Sequence, residues 1–410
     1  MNRRKFIGKS TKQFALLNLV GLTTSTALAN KLNLDNGDGQ NIKNPGKIQY
    51  RVLGRTGIKL PVVSMGVMNS NNPGLLKGAW ENGIRLFDTA WGYQNGNNER
   101  MVGSVLRELK VNREEAIVAT KVPPSGPSAT KGKKGKEIFL QRFGECLSRL
   151  QMDFVDILYY HDVRSPAETN DPYIQEAFTE LKAKKKIRFS GFSTHSYWPE
   201  LITDAASRKF YDVILLSFNY GMYQDQRVFD ALRLASQSGI GLIAMKTQCQ
   251  QDWYKRDLPA EQQKYYDGTL MNSALLKWAL KSEYITTAIP GFTNFQQLND
   301  DIAVAYDLTY TKEEEEFFKS REVKLAIQSV CRHCGNCISS CPQNADIPSL
   351  MRTHMYSLSY GNPLMAKQTL SQILPGRGLD ICKYCEECTS QCQYRVPIAN
   401  RIHELKDIYC

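Results

Sequence analysis

Eight short β-branched runs, each followed by an amphipathic helical pattern, predict an α/β protein built as a (β/α)8 TIM barrel. Nine of the eleven cysteines fall in the last 80 residues, which predicts a second, small and mainly α-helical domain behind the barrel. The chain has 410 residues, 42% hydrophobic and 23% charged, enough for both parts and too apolar for disorder. Beyond a short apolar stretch near the start, no run approaches the roughly 18 apolar residues of a membrane span. Stable membrane insertion is therefore not expected.

Residues 1–29 join a basic start (Arg3, Arg4, Lys5) to an apolar segment from Phe14 to Leu22 and a small-residue site at Ala27-Leu28-Ala29. That is signal-peptide anatomy, an amphipathic N-terminal helix being the other reading. The paired arginines of NRRKFIGK resemble a twin-arginine (Tat) leader, which implies export in the folded state, with the Tat machinery as a partner and a periplasmic or otherwise exported destination. With Lys9 and Lys12 the leader carries five positive charges, without which the formal charge falls from +11 to +6. The remaining basic runs, Lys131–Lys136 and Lys182–Arg188, carry no interleaved aromatics to stack bases, so they read as solvated faces and no nucleic acid is expected. Residues 30–47, rich in Asn, Gly and Asp, read as a flexible spacer, 48–328 as the barrel and 329–410 as the cysteine domain.

The opening IQYRVLGRTGIKLPVV contains two strand-like pieces around Gly54–Gly57, a hairpin able to plug the barrel floor. Barrel strands are expected at Leu60–Val67, Ile84–Ala90, Ala116–Val122, Val155–Val163, Ile187–Ser193, Asp212–Tyr220, Ile240–Lys246 and Tyr284–Gly291. Helices between them include Asn98–Leu109, Glu137–Leu150, Tyr173–Lys184 and Gln226–Ser236, with apolar residues at three- and four-residue steps. TKEE at Thr311 is a capping box.

Catalytic groups of such barrels stand at strand C-termini. Strand two ends in Asp88 and its loop carries Tyr93; strand three ends in Lys121; strand four ends in His161. Hydride reaching a carbonyl carbon leaves charge on oxygen, which a proton donor must neutralise. Tyr93 is the candidate acid. An adjacent Lys121 ammonium would pull the phenol below its usual value near 10, Asp88 would anchor that ammonium, and a neutral His161 would orient the carbonyl. In order and spacing this quartet resembles the aldo-keto reductase family, over roughly Tyr50 to Ala305.

The resemblance implies an NAD(P) cofactor. It places Ser193, Thr194 and Ser217 at the nicotinamide carboxamide, with Thr194 where the family has Asn and Ser217 where it commonly has Gln. Met245 takes the place of a frequent stacking aromatic, and the IPG turn with the following helix matches the family's phosphate loop. Gly291 and Gln297 stand where Lys and Arg for a 2′-phosphate are usual, so NAD and NADP both remain open. The insert Thr247–Gly268 lies where substrate choice is made, with Trp91, Trp253 and Tyr254 as candidate pocket walls.

Cys331, Cys334, Cys337 and Cys341 form one CxxCxxCxxxC run and Cys382, Cys385, Cys388 and Cys392 another. This spacing resembles the two-cluster ferredoxins, and the stretch between the runs looks helical, which makes the likeness closest to an α-helical ferredoxin. By that pattern Cys331, Cys334, Cys337 and Cys392 would hold one [4Fe-4S] cluster and Cys382, Cys385, Cys388 and Cys341 the other. Structural zinc and disulfides are the competing readings.

The expected function is an exported oxidoreductase of aldo-keto reductase type that reduces a small carbonyl, or oxidises an alcohol, with Tyr93 as acid. Two [4Fe-4S] clusters would serve electron exchange or docking of a redox partner protein. The alternatives are an electron-transfer or docking subunit on a non-catalytic barrel, and a substrate-binding protein with structural clusters.

Overall fold

Eight parallel strands, consecutive in the chain, form one sheet: β3 (Met65–Gly66), β4 (Leu86–Asp88), β5 (Ile117–Val122), β6 (Val155–Tyr160), β7 (Ile187–Thr194), β8 (Val213–Ser217), β9 (Gly241–Met245) and β10 (Thr287–Ala288). The computed structural model describes residues 46–123, 132–248, 269–321, 323–324 and 330–410. The sheet closes where Ser64 N–H donates to Ala288 O (2.8 Å), Ala288 N–H to Val62 O (2.9 Å) and Gly66 N–H to Pro290 O (2.9 Å). All eight expected strands are present. The leader, most of the spacer (residues 30–45) and the loop residues Cys249, Trp253 and Tyr254 lie outside the described residues.

The expected hairpin is β1 (Tyr50–Val52) paired antiparallel with β2 (Lys59–Pro61). The single strand expected over Leu60–Val67 is in fact two, because the first part of that unbroken apolar run pairs with β1 and only Met65–Gly66 joins the barrel. Leu53, Ile58 and Leu60 of the hairpin join Leu86, Ile117, Ile157, Val213 and Ile243 inside the barrel. Gly54 (φ 48°) is required at this floor, since a Cβ there would stand 2.4 Å from Gly241 N.

Helices cover the outside: α1 (Pro73–Glu81), α2 (Asn97–Glu108), α3 (Gly132–Leu150), α4 (Pro166–Thr169), α5 (Pro172–Ala183), α6 (Trp198–Arg208), α7 (Gln226–Gln237), α8 (Thr269–Lys281), α9 (Phe295–Tyr306) and α10 (Lys312–Lys319). Thr311 caps α10 through the expected box with Glu314. Among the described residues no helix is long and apolar enough to cross a membrane.

After α10 the chain builds α11 (Ile347–His354), which runs into a π-helical turn at Met355–Ser359, then α12 (Pro363–Ser371), α13 (Leu379–Cys382) and α14 (Ile398–Tyr409). Their core joins Ile347, Leu350, Met351, Ile398, Ile402 and Leu405. Residues 46–410 form one compact unit. The helical segment lies over the strand C-termini, meeting residues just past five of them. Asn362 Nδ2 donates to Asn69 Oδ1 (2.8 Å), Gln368 Nε2 to Gly92 O (2.9 Å), and Arg352 to both oxygens of Asp162 (2.7 and 2.8 Å). His333 stands against His195, and the Lys246 ammonium lies 4.5 Å from the Tyr356 ring centroid.

Candidate active site

The parallel register sets Asp88, the last residue of β4, beside Ala119, and Lys121 of β5 follows two residues on. Their side chains, both buried, form an ion pair, and the Lys121 ammonium also donates to Thr89 O (2.7 Å). Burial pushes the Asp88 carboxyl above its ordinary range and the Lys121 ammonium below its own, each partner pulling the other back. Tyr93 opens a tight turn after β4 in which Gln94 (φ 48°) and Asn95 (φ 55°) take left-handed conformations. Gln94 holds that turn by donating to Ser70 O (3.2 Å) and Met68 O (3.3 Å). The turn sets the Tyr93 ring 4.9 Å from the Lys121 ammonium. His161 follows β6 directly, its N–H bonded to Val122 O (3.0 Å), and its ring meets Tyr93 edge-on at 6.0 Å.

The structure thus gathers Asp88, Lys121, Tyr93 and His161 at one mouth of the barrel. The surroundings of the phenol act against the expected acidification: burial first, then the Asp88 carboxylate, push Tyr93 well above the ordinary value of 10.0. His161 is pushed down to about 3 by burial and by Lys121, so its imidazole is neutral at physiological pH.

Tyr93 and His161 line a cavity of about 240 Å³. Trp91 is a wall, as expected, with its indole N–H on Glu145 Oε2 (2.7 Å). Behind it, buried Glu99 receives Thr120 Oγ1 (2.7 Å) and Arg149 (3.2 Å), and Arg149 also donates to Trp91 O (2.8 Å). His195, two residues after Ser193, also lines it, and further lining was not anticipated, including Asp162 from the barrel and Arg352, Tyr356, Met365 and Gln368 from the helical segment. Asp162 stands next to His161 in YYHDV and could have been flagged there; nothing in the local sequence marks Arg352 or Tyr356.

The aldo/keto reductase family model matches residues 69–320, from just after the first barrel strand through α10. The chain belongs to the aldo/keto reductase family. It is similar to L-galactose dehydrogenase of Arabidopsis thaliana, 26% identical over 299 residues that cover 64% of this chain and 89% of that one. L-glyceraldehyde 3-phosphate reductase of Escherichia coli (strain K12) is 25% identical over 325 residues, covering 66% of this chain and 91% of the relative. An aldo-keto reductase of Bacillus halodurans, solved in its holo form, matches with a TM-score of 0.52 at 21% identity, over 68% of this chain and 100% of that one, a likeness of fold. The family match ends before the first cysteine run.

In this aldo/keto reductase the positions aligned with a nicotinamide differ in what they offer. Ser193 Oγ accepts Asp162 N–H (3.0 Å) and Ser217 Oγ bonds His195 Nδ1 (3.0 Å), so each hydroxyl retains further bonding capacity. Met245 is buried at the end of β9. The Thr194 hydroxyl donates to Ser196 O (2.8 Å) and accepts Ser196 N–H (3.2 Å), closing a local turn that uses its one proton. Gln297 accepts Thr293 N–H (2.8 Å) and Thr293 Oγ1–H (2.9 Å) at its Oε1, which leaves its side-chain NH2 group as the donor. Gly291 is exposed beside Gly66, and α9 begins just after it under an Asn294 cap. Ser193, Ser217, Met245 and Gly291 thus stand at or just past the C-terminal ends of β7, β8, β9 and β10.

Cys341, Cys382, Cys385 and Cys388 line one cavity of about 500 Å³ in the helical segment. Cys331 and Cys337 feel each other's charge and that of Cys392, and Cys337 also feels Cys334. Backbone amides approach three sulfurs at 3.4 Å: His333 N on Cys331, Ala345 N on Cys341 and Tyr394 N on Cys392. The described cysteines are free thiols, and among the described residues no three His, Cys, Asp or Glu side chains are placed to hold a single metal ion. Cys341 of the first run thus lies with Cys382, Cys385 and Cys388 of the second, and Cys392 of the second lies near Cys331 and Cys337 of the first.

Proposed function

We propose that the protein is an exported, nicotinamide-dependent reductase of small carbonyl compounds, working also in the reverse sense, with two [4Fe-4S] clusters in residues 329–410. The observation that carries the reading is that the Tyr93 phenol and the neutral His161 line one small cavity, with the Lys121–Asp88 pair against the Tyr93 ring. His161 donates to the carbonyl oxygen and orients it. The Tyr93 hydroxyl, fully protonated because its environment penalises the phenolate, delivers its proton as negative charge develops on that oxygen. The nearby Lys121 ammonium stabilises the phenolate left behind, and Asp88 fixes that ammonium. A nicotinamide held by Ser193, Ser217, Met245 and the Gly291 turn would supply the hydride. The roof over the mouth excludes water from the transfer.

The test is titration of the anaerobically purified chain with NADH and NADPH by fluorescence, followed by assay with small aldehydes. Tyr93→Phe is expected to lower kcat by about 10²–10⁴ with little change in KM; full activity in that variant overturns the mechanism. Iron, sulfide and EPR analysis tests the clusters, and a colourless, iron-free native protein ends that part of the proposal.

A second reading, an electron-transfer subunit on a barrel scaffold, has one observation in its favour. His333, between Cys331 and Cys334, has its ring 6.3 Å from that of His195, which lines the catalytic cavity. Reduction of an artificial one-electron acceptor without nicotinamide would select it.

A further inference from the structure

The barrel and the cysteine segment together enclose a second recess, of about 600 Å³, which shares no lining residue with the catalytic cavity. Asp225 and Arg227, at the start of α7, form its barrel side; Arg332, Asn336, Gln393 and Arg395 come from the cysteine segment. Apart from Tyr394 the lining is polar, and its charge is one-sided: among the described residues, three arginines stand against one aspartate. That aspartate is paired with Arg227 (2.9 Å), while Arg332 and Arg395 make no ion pair among the described residues. Arg332 lies flat on the Tyr394 ring, 3.6 Å from its centroid, which gives its charge a fixed place in the wall. Arg332 follows Cys331, Asn336 precedes Cys337 and Gln393 follows Cys392, so the wall is made of the immediate neighbours of three of the four thiols expected to hold one cluster. The amide of Tyr394 reaches the Cys392 sulfur itself (3.4 Å). In the same cysteine run His333 meets His195 of the catalytic cavity. The other cysteine cavity has a rim of opposite sign, with Glu386, Glu387 and Glu404 against Lys406.

We propose that this recess is the docking site of an acidic one-electron carrier protein, which exchanges electrons there with the cluster of Cys331, Cys334, Cys337 and Cys392. The inference rests on the reading of residues 329–410 as a two-cluster segment, and it names the class of partner that segment takes. The step is a single electron: the carrier loses one, the cluster gains one, and no bond is made or broken. A polar wall without an apolar anchor gives weak, short-lived binding, the regime of electron-transfer encounters, in which charge supplies the steering. Arg227 and Arg395 are exposed, where a protein surface reaches them. Three arginines drawn from three stretches of chain match several carboxylates of an acidic surface better than the one charge of a small anion. The glutamate rim repels the same carrier from the other cluster, so the point of entry is fixed.

The test is stopped-flow reduction of the full chain with its clusters by a dithionite-reduced plant-type [2Fe-2S] ferredoxin, which serves as the acidic carrier. The second-order rate constant is expected to fall about tenfold between about 20 and 200 mM NaCl. Arg227→Glu combined with Arg395→Glu leaves one arginine against three carboxylates and should slow the reaction at least about tenfold at low salt. The cationic methyl viologen radical should reduce that variant at least as fast as the wild type, which shows its clusters to be intact. Glu386→Gln combined with Glu387→Gln should leave the ferredoxin rate within about twofold. A ferredoxin rate indifferent to salt and to the arginine pair, or one that responds to the glutamate pair instead, overturns the proposal. So does a chain that methyl viologen reduces and ferredoxin does not. Phosphate binding that the arginine substitutions abolish, with ferredoxin unaffected, would make the recess a small-anion site and overturns it too. Iron and sulfide content, measured first, keeps the cluster reading separate. In an iron-free chain the binding of oxidised ferredoxin by NMR titration replaces the rate; loss of that binding in the arginine variant upholds the docking site while the cluster reading alone fails.

Discussion

Tyr93 is held as a phenol by its surroundings, and that fixes the pH behaviour of each direction of reaction. Carbonyl reduction consumes the phenol proton, and the phenol stays protonated up to a value well above 10.0. Reductive kcat/KM should therefore be flat between about pH 6 and 9, while alcohol oxidation, which needs the phenolate, should climb about tenfold per pH unit over that range. A plateau in oxidation near neutrality would show that the phenol is acidified after all. His161 adds no acid limb to these profiles, because its folded value is about 3. It does act on stability: the unfolded histidine takes up a proton near its ordinary 6.5 and the folded one does not, so His161 disfavours the fold progressively as pH falls from about 6.5 towards 3. The quartet was legible in the sequence because each member stands at or just past the end of a β-branched run. The direction of the phenol shift was not, since it depends on burial and on the Asp88 carboxylate, which only the packing reveals.

Two glycines show how the elements that carry these residues are spaced. Gly103 on α2 faces the C-terminal end of α3, and a Cβ there would fall 2.0 Å from Leu150 O and 2.6 Å from Leu150 C. Those are backbone atoms, so the helices must separate. Gly103→Ala should cost about 3 kcal/mol or more in urea unfolding, despite the roughly 1 kcal/mol by which alanine favours a helix. Gly144, exposed on α3 with nothing within 4 Å of its Cβ position, gives the opposite sign: Gly144→Ala should stabilise by roughly 0.5–1 kcal/mol. Neither sign could be read from the chain, where both are single glycines in helical patterns. The elements themselves were largely legible, since period-2 and period-3.6 patterns are local. Where the sequence misled, at Leu60–Val67, one apolar run serves two sheets, and partner choice is a property of the fold, not of the run.

The arrangement of the whole molecule makes the cysteine segment part of the active site. The roof elements α11, the π-helical turn and α12 are strung between the two cysteine runs, so whatever fixes the cysteines fixes the roof. About 80 residues supply a thin apolar core against which Cys331, Cys337, Cys341, Cys382, Cys388 and Cys392 pack. A core of that size commonly needs metal or covalent staples to persist, and cluster binding would provide them. Such staples would hold the Arg352–Asp162 and Arg164–Asp346 pairs in place, and with them the wall of the cavity. Anaerobic chelation of the iron is therefore expected to leave the barrel's far-UV circular dichroism nearly intact while opening residues 347–371 to limited proteolysis. If instead the iron-depleted chain resists protease in that stretch, the roof is held by the barrel alone. The clusters would then owe their presence to electron exchange, through the His333–His195 contact, and not to the shape of the pocket.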